Sequence, residues 1–149
     1  MKAEQIMTTE VSVVHVDTTV DEVVRILTTR RISSVPVVDD EHHILGVVGE
    51  DELFLKEKGI PFSAVKAPTL FRKWADPRRA DEVYAAARQH TAADVMTPDV
   101  PCVEADDDVG KVTLLMVQQN LHRVPVVRSG QLVGIISRID LIRMLANTE

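Results

Sequence analysis

The sequence predicts an α/β (α+β) fold built from two copies of one β-α-β-β-α unit. The strongest observation is that residues 35–38 and residues 124–127 both read Val-Pro-Val-Val, 89 residues apart. The same offset holds without a gap over about thirty residues, which indicates a tandem repeat. One residue is lost in the turn that follows, so the next glycines are 88 residues apart. The matched positions include Met7-Thr8 with Met96-Thr97, Asp17 with Asp106, Val20 with Val109, Val23 with Val112, and Gly46 with Gly134.

Each copy begins with a short strand and a capped helix. Residues 11–16 and 100–103 are rich in β-branched side chains and have polar neighbours, which favours strands. Thr19 and Asp108 stand before stretches whose apolar residues recur at helical spacing, so we expect them to be N-caps.

Two apolar strands and a second helix complete each copy. The repeated Val-Pro-Val-Val segment is followed by a polar turn and then by a second apolar run, so that each copy has two strands of four to five residues. A last helix should begin just after that run. The elements are strands at 35–38 and 124–127, turns at 39–43 and 128–131, and final helices containing Leu53 in one copy and Leu141, Ile142 and Leu145 in the other.

The repeats divide the chain into repeat 1 (residues 1–54), an insert (55–90) and repeat 2 (91–149). The insert has no counterpart and contains eight Lys or Arg residues against four acidic ones, a net charge of about +4 in a chain whose net charge is -6. We expect it to be partly helical, near residues 79–89. It is either a solvated helical cap or a surface for a protein partner, and its composition leaves both open.

Composition indicates a soluble, cytoplasmic protein. The chain is 45% hydrophobic and 27% charged, as globular domains are. Its negative charge argues against nucleic-acid partners and anionic membranes. No apolar run approaches the ~18 residues of a membrane span, and the N-terminus lacks the apolar core of a signal peptide. The single cysteine, Cys102, suits a reducing compartment, and we expect it to be a packed, inert thiol.

The sequence contains no catalytic or metal-binding constellation, so we expect a protein that is not an enzyme. No Gly-rich phosphate loop, nucleophile elbow or HExxH motif is present. Residues 39–43 (Asp-Asp-Glu-His-His) have metal-ligand types, but adjacent side chains on a short hairpin rarely converge on one ion. Residues 106–108 are three aspartates, most simply an acidic run at a helix start.

The paired units resemble a tandem pair of cystathionine β-synthase (CBS) domains. The features that carry the resemblance are the Met-Thr start, the Val-Pro-Val-Val strand, and the motif GIISRID at residues 134–140. It covers nearly everything except the insert. It implies a pseudo-two-fold module with two clefts, often homodimeric through its helices. Such pairs are regulatory sensors, and many bind AMP, ADP, ATP, S-adenosylmethionine or sometimes NAD.

The resemblance assigns a ribose-binding role to Asp140, in the Ser-x-x-Asp motif that Ser137 begins. A carboxylate can accept from two neighbouring hydroxyls at once. Ser137 would contact ribose or phosphate beside the free N–H groups of the helix start. The same spacing is also typical of a capping box, which needs no ligand. The two roles are compatible.

The resemblance also implies an adenine pocket and a phosphate site. It implies that the ribose-binding Asp of one copy works with the first strand of the other copy. The pocket would then draw on Met7, Thr8, Val11, Ser12, Ile32 and Ser33, because apolar walls and backbone groups suit a purine. His122 and Arg123 occupy positions that resemble those where the AMP-sensing kinase subunit has phosphate-contacting basic groups. From the residues alone, a His-Arg pair before a strand is also typical of a solvated loop.

The first copy departs from this pattern. Gly49 and Glu52 stand where the second copy has Ser137 and Asp140, and Pro101 replaces Ser12 on the other side. Glycine removes the hydroxyl, glutamate is one methylene longer, and proline removes a backbone donor. We therefore predict one competent cleft, at Asp140, and a weak or empty cleft at Glu52.

The predicted function is a regulatory protein that binds an adenosine nucleotide between its repeats and signals a conformational change to a partner. The alternative is a protein–protein interaction module with vestigial clefts, whose partner binds the basic insert. Neither needs a catalytic cofactor.

Overall fold

The computed structural model describes residues 1–53 and 89–147. The predicted insert therefore lies almost wholly outside the described residues, as does most of its expected helix. The helices are α1 (Ala3–Ile6), α2 (Val20–Arg30), α3 (Glu50–Leu53), α4 (Ala92–Val95), α5 (Val109–Gln118) and α6 (Arg138–Ala146). The strands are β1 (Ser34–Val38), β2 (Ile44–Gly49), β3 (Thr97–Pro98), β4 (Val103–Glu104), β5 (Arg123–Arg128) and β6 (Gln131–Ser137).

The chain forms two compact units that do not coincide with the two sequence repeats. Unit 1 contains Met1–Val11, Glu41–Ile44 and Pro101–Glu149, and unit 2 contains Ser12–Asp40 and Leu45–Val100. Each unit thus takes the opening segment of one repeat and the body of the other. This exchange of opening segments is invisible to a comparison of the repeats in the sequence, because both copies are exchanged alike.

The sheet of unit 1 has the order β4-β5-β6. β4 is parallel to β5, β5 is antiparallel to β6, and the β5–β6 ladder shifts register between Val126 and Val127. The opening segment of the chain pairs with the edge of β6 that β5 does not occupy. There Thr8 exchanges two backbone hydrogen bonds of 2.8 and 3.0 Å with Ile135. Strand β4 begins at Val103, the last residue of the strand expected at 100–103.

The sheet of unit 2 has the order β1-β2-β3. β3 comes from the opening segment of the second repeat and pairs antiparallel with β2, placing Thr97 opposite Val47. The strand expected at residues 11–16 is reduced to one bridge, in which Val14 pairs parallel with Val37. Val14 is buried, whereas Val13 is only partly buried and His15 is exposed, so this bridge mainly serves to pack one valine into the core.

Both predicted N-caps are confirmed. The Thr19 hydroxyl accepts a hydrogen bond from the Glu22 N–H at 3.3 Å, and the Asp108 carboxylate accepts one from the Gly110 N–H at 2.8 Å. Each cap satisfies a donor that the first helical turn would otherwise leave unpaired.

Two one-turn helices, α1 and α4, were not expected from the sequence. In the second, the Thr91 N–H donates to the Asp94 carboxylate at 3.0 Å, and this bond lowers the pKa of Asp94. The Thr-x-x-Asp spacing was a readable signal, because it is the same capping arrangement as at Ser137. Each helix places the Met-Thr pair that follows it.

Each unit has its own aliphatic core. All five aromatic residues of the chain lie in residues 54–88, so the cores of the described residues are aliphatic, with valine as the most frequent buried residue. The core of unit 2 consists of Val14, Val20, Val23, Leu27, Val35, Val37, Val48, Leu53, Ala92 and Val95. The core of unit 1 consists of Ala3, Val103, Ala105, Val112, Met116, Val124, Val126 and Ile136.

The helices within residues 1–53 and 89–147 are all too short or too polar to cross a lipid bilayer.

Candidate ligand site

Asp140 and Ser137 form a capping box at the start of α6. Oδ2 of Asp140 accepts from the Ser137 N–H at 2.7 Å and from the Ser137 hydroxyl at 2.6 Å. The sequence is responsible for this contact, since β6 ends at Ser137 and the third helical residue must reach back to its N–H. The capping role expected from the spacing is thus present.

The other oxygen of Asp140 is only weakly engaged. Within the described residues its Oδ1 has a contact of 3.5 Å with the Arg143 guanidinium, whose side chain is 70% exposed, while the Asp140 side chain is only 10% exposed. A mostly buried carboxylate with one oxygen committed and the other loosely held can still accept a hydrogen bond from a ligand hydroxyl. Arg143 was not identified from the sequence, although its i+3 spacing from Asp140 was available as a signal.

Met7 and Thr8 lie against the same strand that leads to Ser137. Thr8 pairs with Ile135, two residues before Ser137, and the Met7 side chain lies over Gly134. Val11 belongs to the same unit. The structure therefore brings Met7 and Thr8 from the N-terminal end of the chain onto the strand that precedes Asp140.

His122 and Arg123 also belong to this corner of unit 1. The His122 carbonyl accepts from the Arg138 N–H at 3.1 Å, and Arg123 stands opposite Ser137 in the β5–β6 ladder. Both residues are exposed. Two basic side chains at the level of the helix start would favour an anion there, because the N-terminal N–H groups carry partial positive charge.

Ser12, Ile32 and Ser33 belong to unit 2. The Ser12 hydroxyl accepts from the Arg30 guanidinium at 2.6 Å, and the Ser33 carbonyl accepts from the Glu50 N–H at 3.0 Å. Their participation in one pocket with Asp140 remains a prediction. Arg30 was not predicted as a site residue; it lies at the end of α2, four residues before β1 begins.

The equivalent position in unit 2 is built differently. Glu52 accepts from the Gly49 N–H through Oε2 at 2.9 Å and from the Thr97 hydroxyl through Oε1 at 3.0 Å. Thr97 was not identified as a site residue. Its match to Thr8 was visible in the repeat register, but its contact with Glu52 depends on the exchange of opening segments.

Cys102 lies just before β4 and is half-buried. Burial raises the pKa of its thiol, and the negative charge of Glu104 raises it further. A thiol that resists ionisation is a poor nucleophile and a poor metal ligand, as the sequence led us to expect. Within residues 1–53 and 89–147, His, Cys, Asp and Glu side chains form no group of three or more that could hold a metal ion.

Comparisons with known proteins identify the same repeats. The model of the CBS domain matches residues 3–58 and 92–147. The chloroplastic CBS domain-containing protein CBSX1 of Arabidopsis thaliana is 28% identical over 139 residues, which cover 90% of this chain and 58% of that one, so the chain spans less than two thirds of this relative.

Two solved structures with bound ligands have a similar fold. The structure of Arabidopsis CBSX2 in complex with AMP has a TM-score of 0.76 and 22% identity, covering 99% of this chain and 98% of that one. The CBS domain pair of protein MJ0100, in complex with 5′-methylthioadenosine and S-adenosyl-L-methionine, has a TM-score of 0.70 and 19% identity, covering 100% and 98%.

The two matched segments agree with the repeat register, and the similar structures agree with the observed fold. The chain belongs to the CBS domain family and contains a tandem pair of these domains.

Proposed function

We propose that this protein is a regulatory sensor that binds one adenosine nucleotide (AMP, ADP or ATP) or S-adenosylmethionine per chain at Asp140. One observation carries the proposal. Asp140 is mostly buried and caps α6 with Oδ2 alone, so Oδ1 is available to a ligand. The capping bond holds the carboxylate in position before any ligand arrives, which lowers the entropic cost of binding.

The chemistry of the surrounding residues supports an adenosine ligand. Vicinal ribose hydroxyls would donate to Asp140, and charged acceptors make hydrogen bonds about twice as strong as neutral ones. A phosphate would lie toward Ser137, His122 and Arg123, beside the N-terminal N–H groups of α6. The adenine would contact the residues that the resemblance assigns to the base: Met7, Thr8, Val11, Ser12, Ile32 and Ser33.

The ligands of structurally similar proteins support this class and no narrower one. AMP in CBSX2, and methylthioadenosine with S-adenosylmethionine in MJ0100, have an adenosine group in common and differ at the 5′ position. Asp140 and the proposed base pocket concern that common part. Arg123 and His122 would determine the preference at the 5′ position, where the positive charge of Arg123 and the ring donor of His122 favour a phosphate over the sulfonium of S-adenosylmethionine.

The signal would be a shift between two arrangements of the protein. A ligand moves such an equilibrium only as far as its affinities for the two arrangements differ. The protein would act as a sensor and not as an enzyme, in the cytoplasm, where a single raised-pKa thiol is compatible with the reducing conditions.

Thermal-shift screening against AMP, ADP, ATP, S-adenosylmethionine and NAD tests the proposal. We expect at least one adenosine ligand to raise the Tm, because a ligand whose free concentration is 100 times its Kd stabilises the folded protein by about 2.7 kcal/mol. The control is the same set of ligands with Asp140→Ala. A flat response to all five ligands would contradict the function. Turnover of ATP on prolonged incubation would instead indicate an enzyme.

We also propose that two chains associate through the outer face of α5 and α6. Five large apolar side chains there are half or more exposed: Leu114, Val117, Ile139, Ile142 and Leu145. In α2, the matched positions of Leu114 and Val117 are Arg25, which pairs with Asp21 at 3.3 Å, and Thr28. At these matched positions α2 of repeat 1 therefore has polar side chains, whereas α5 of repeat 2 exposes apolar ones. A second copy is the proposed occupant because the same patch can cover itself across a two-fold axis.

The alternative function is an interaction module whose partner binds the basic insert. It relies on residues 55–90, of which nearly all lie outside the described residues. Nucleotide titration separates the alternatives, because a vestigial cleft binds no ligand whether or not a protein partner is present.

A further inference from the structure

The two repeats provide two equivalent helix starts, and their acidic residues do different things. Glu52 of repeat 1 matches Asp140 of repeat 2, and Thr97 matches Thr8 on the exchanged opening segments. Each acidic residue accepts from the backbone N–H three residues before it, at 2.9 Å for Glu52 and 2.7 Å for Asp140. The hydrogen bond that caps the helix start is therefore the same in both repeats, so the remaining contacts of Glu52 and Asp140 can be compared directly.

The difference lies in the second carboxylate oxygen. Oε1 of Glu52 accepts from the Thr97 hydroxyl at 3.0 Å. Oδ1 of Asp140 has only the 3.5 Å contact with Arg143 in the part of the chain that the structure describes, and no hydrogen bond of the Thr8 hydroxyl is found there. The extra methylene of glutamate is what allows one oxygen to cap the helix while the other reaches the opening segment.

Gly49 leaves no room for the serine that repeat 2 has at the matched position. A Cβ at Gly49 would lie 2.6 Å from the Ser33 carbonyl oxygen and 2.7 Å from the Ser34 Cβ. A serine, which repeat 2 has at position 137, would therefore need a shift of backbone. Repeat 1 thus lacks the serine hydroxyl that in repeat 2 donates to the carboxylate of Asp140. In repeat 1 the hydroxyl of Thr97, on the exchanged opening segment, donates to the carboxylate of Glu52 instead.

We propose that Glu52 determines the number of ligands per chain, by accepting the Thr97 hydroxyl in place of a ligand hydroxyl. The Thr97 side chain occupies the acceptor that a ribose would need, so the repeat 1 position is closed by the protein's own contact. A ligand entering there must break a hydrogen bond to a charged acceptor, whereas at Asp140 it need not. This inference deepens the proposed function and rests on it.

A double-mutant cycle without ligand tests the contact itself. Thr97→Val should lower the folding equilibrium constant by roughly ten-fold in the wild type, as expected for loss of a hydrogen bond to a charged group. In a Glu52→Asp background the same change should cost less than about two-fold, because the shorter side chain no longer reaches Thr97. Thr8→Val is the matched control and should also cost less than about two-fold. Additive effects of the Glu52 and Thr97 changes would overturn the inference.

Calorimetric titration with AMP and with S-adenosylmethionine tests the consequence. The wild type should bind one equivalent per chain, and Glu52→Asp, which keeps both charge and cap, should bind a second. A wild type that binds two, or a Glu52→Asp variant that still binds one, overturns the inference and leaves the proposed function standing. A wild type that binds neither probe, and neither ADP nor ATP in the same titration, overturns the proposed function, and this inference with it.

Discussion

The side chain of Met7 packs directly over Gly134, although 127 residues separate them. A Cβ at Gly134 would lie 2.5 Å from the Met7 sulfur and 3.0 Å from the Thr8 carbonyl oxygen. The same relationship is repeated in unit 2, where a Cβ at Gly46 would lie 2.9 Å from the Met96 sulfur and 2.6 Å from the Thr97 carbonyl oxygen. The Met-Thr pair of one repeat therefore packs against the glycine of the other repeat, and this contact occurs once in each unit. The opening segment crosses a strand closely enough that only glycine fits.

Gly134→Ala should destabilise the protein by about 1–3 kcal/mol, the usual cost of forcing extra volume into a packed contact. Urea unfolding followed by circular dichroism measures the change. Met7→Ala in the same background should recover part of the loss, because the methionine is the more movable of the two neighbours. Full stability of Gly134→Ala alone would contradict the close approach.

Asp140→Ala should weaken binding of the adenosine ligand by at least about ten-fold, because a charged acceptor is lost. It should also cost about 1 kcal/mol of stability, because the cap of α6 is lost with it. Asp140→Asn separates the two effects, since its amide oxygen can still accept from the Ser137 N–H. Glu52→Ala is the control and should leave the affinity at Asp140 nearly intact. Calorimetry in which Asp140→Ala binds as well as the wild type would show that the ligand lies elsewhere.

Acid should destabilise the protein partly through Asp107. The Lys111 ammonium, at 2.6 Å, lowers the pKa of this carboxyl, and the Glu104 N–H lowers it further. A lowered pKa contributes stability that is present above the unfolded value of about 3.9 and is lost as the pH falls through the folded value. Asp107→Asn should therefore unfold with a shallower dependence on pH below about 4. Lys111→Met should have the same direction of effect, and an unchanged slope in both would contradict the assignment.

Cys102 should react slowly with a thiol reagent such as DTNB. Burial raises the pKa of its thiol, so less of the reactive thiolate is present near neutral pH. The reaction of the folded protein at pH 8 should be several-fold slower than that of the same chain in urea. Equal rates would indicate an exposed and ionisable thiol.

Val117→Glu should convert the proposed dimer into a monomer. Its side chain is 71% exposed in the single chain, so the substitution should leave folding intact while placing a charge in the apolar contact. Thr28→Glu introduces the same charge at the matched position of α2 and should leave the dimer unchanged. Light scattering after size exclusion distinguishes these results, and a monomeric wild type would contradict the proposal.

The repeat register, the helix caps and the capping box at Ser137 could all be predicted from the sequence. These features depend on neighbours within a few residues, such as Thr19 with Glu22 or Ser137 with Asp140, so the local spacing of residue types is enough to predict them. The resemblance to a CBS pair follows from two copies of such patterns in register. The helices α1 and α4 depend on equally local contacts. A single turn has no apolar periodicity, so only the capping spacing of Thr91 and Asp94 could have indicated α4.

The residue patterns by themselves leave open which copy each opening segment joins. The resemblance implied an exchange, and the tertiary structure shows it. Met7 lies over Gly134 and Thr97 donates to Glu52 because each unit is completed by the opening segment of the other repeat. A matched pair of segments is equally compatible with exchange and with no exchange, since either arrangement buries the same apolar residues and satisfies the same strand edges. The sequence alone therefore determined what the two helix starts contain, and the exchanged packing determined that the Thr97 hydroxyl donates to Glu52, while Oδ1 of Asp140 has only the 3.5 Å contact with Arg143 among the described residues.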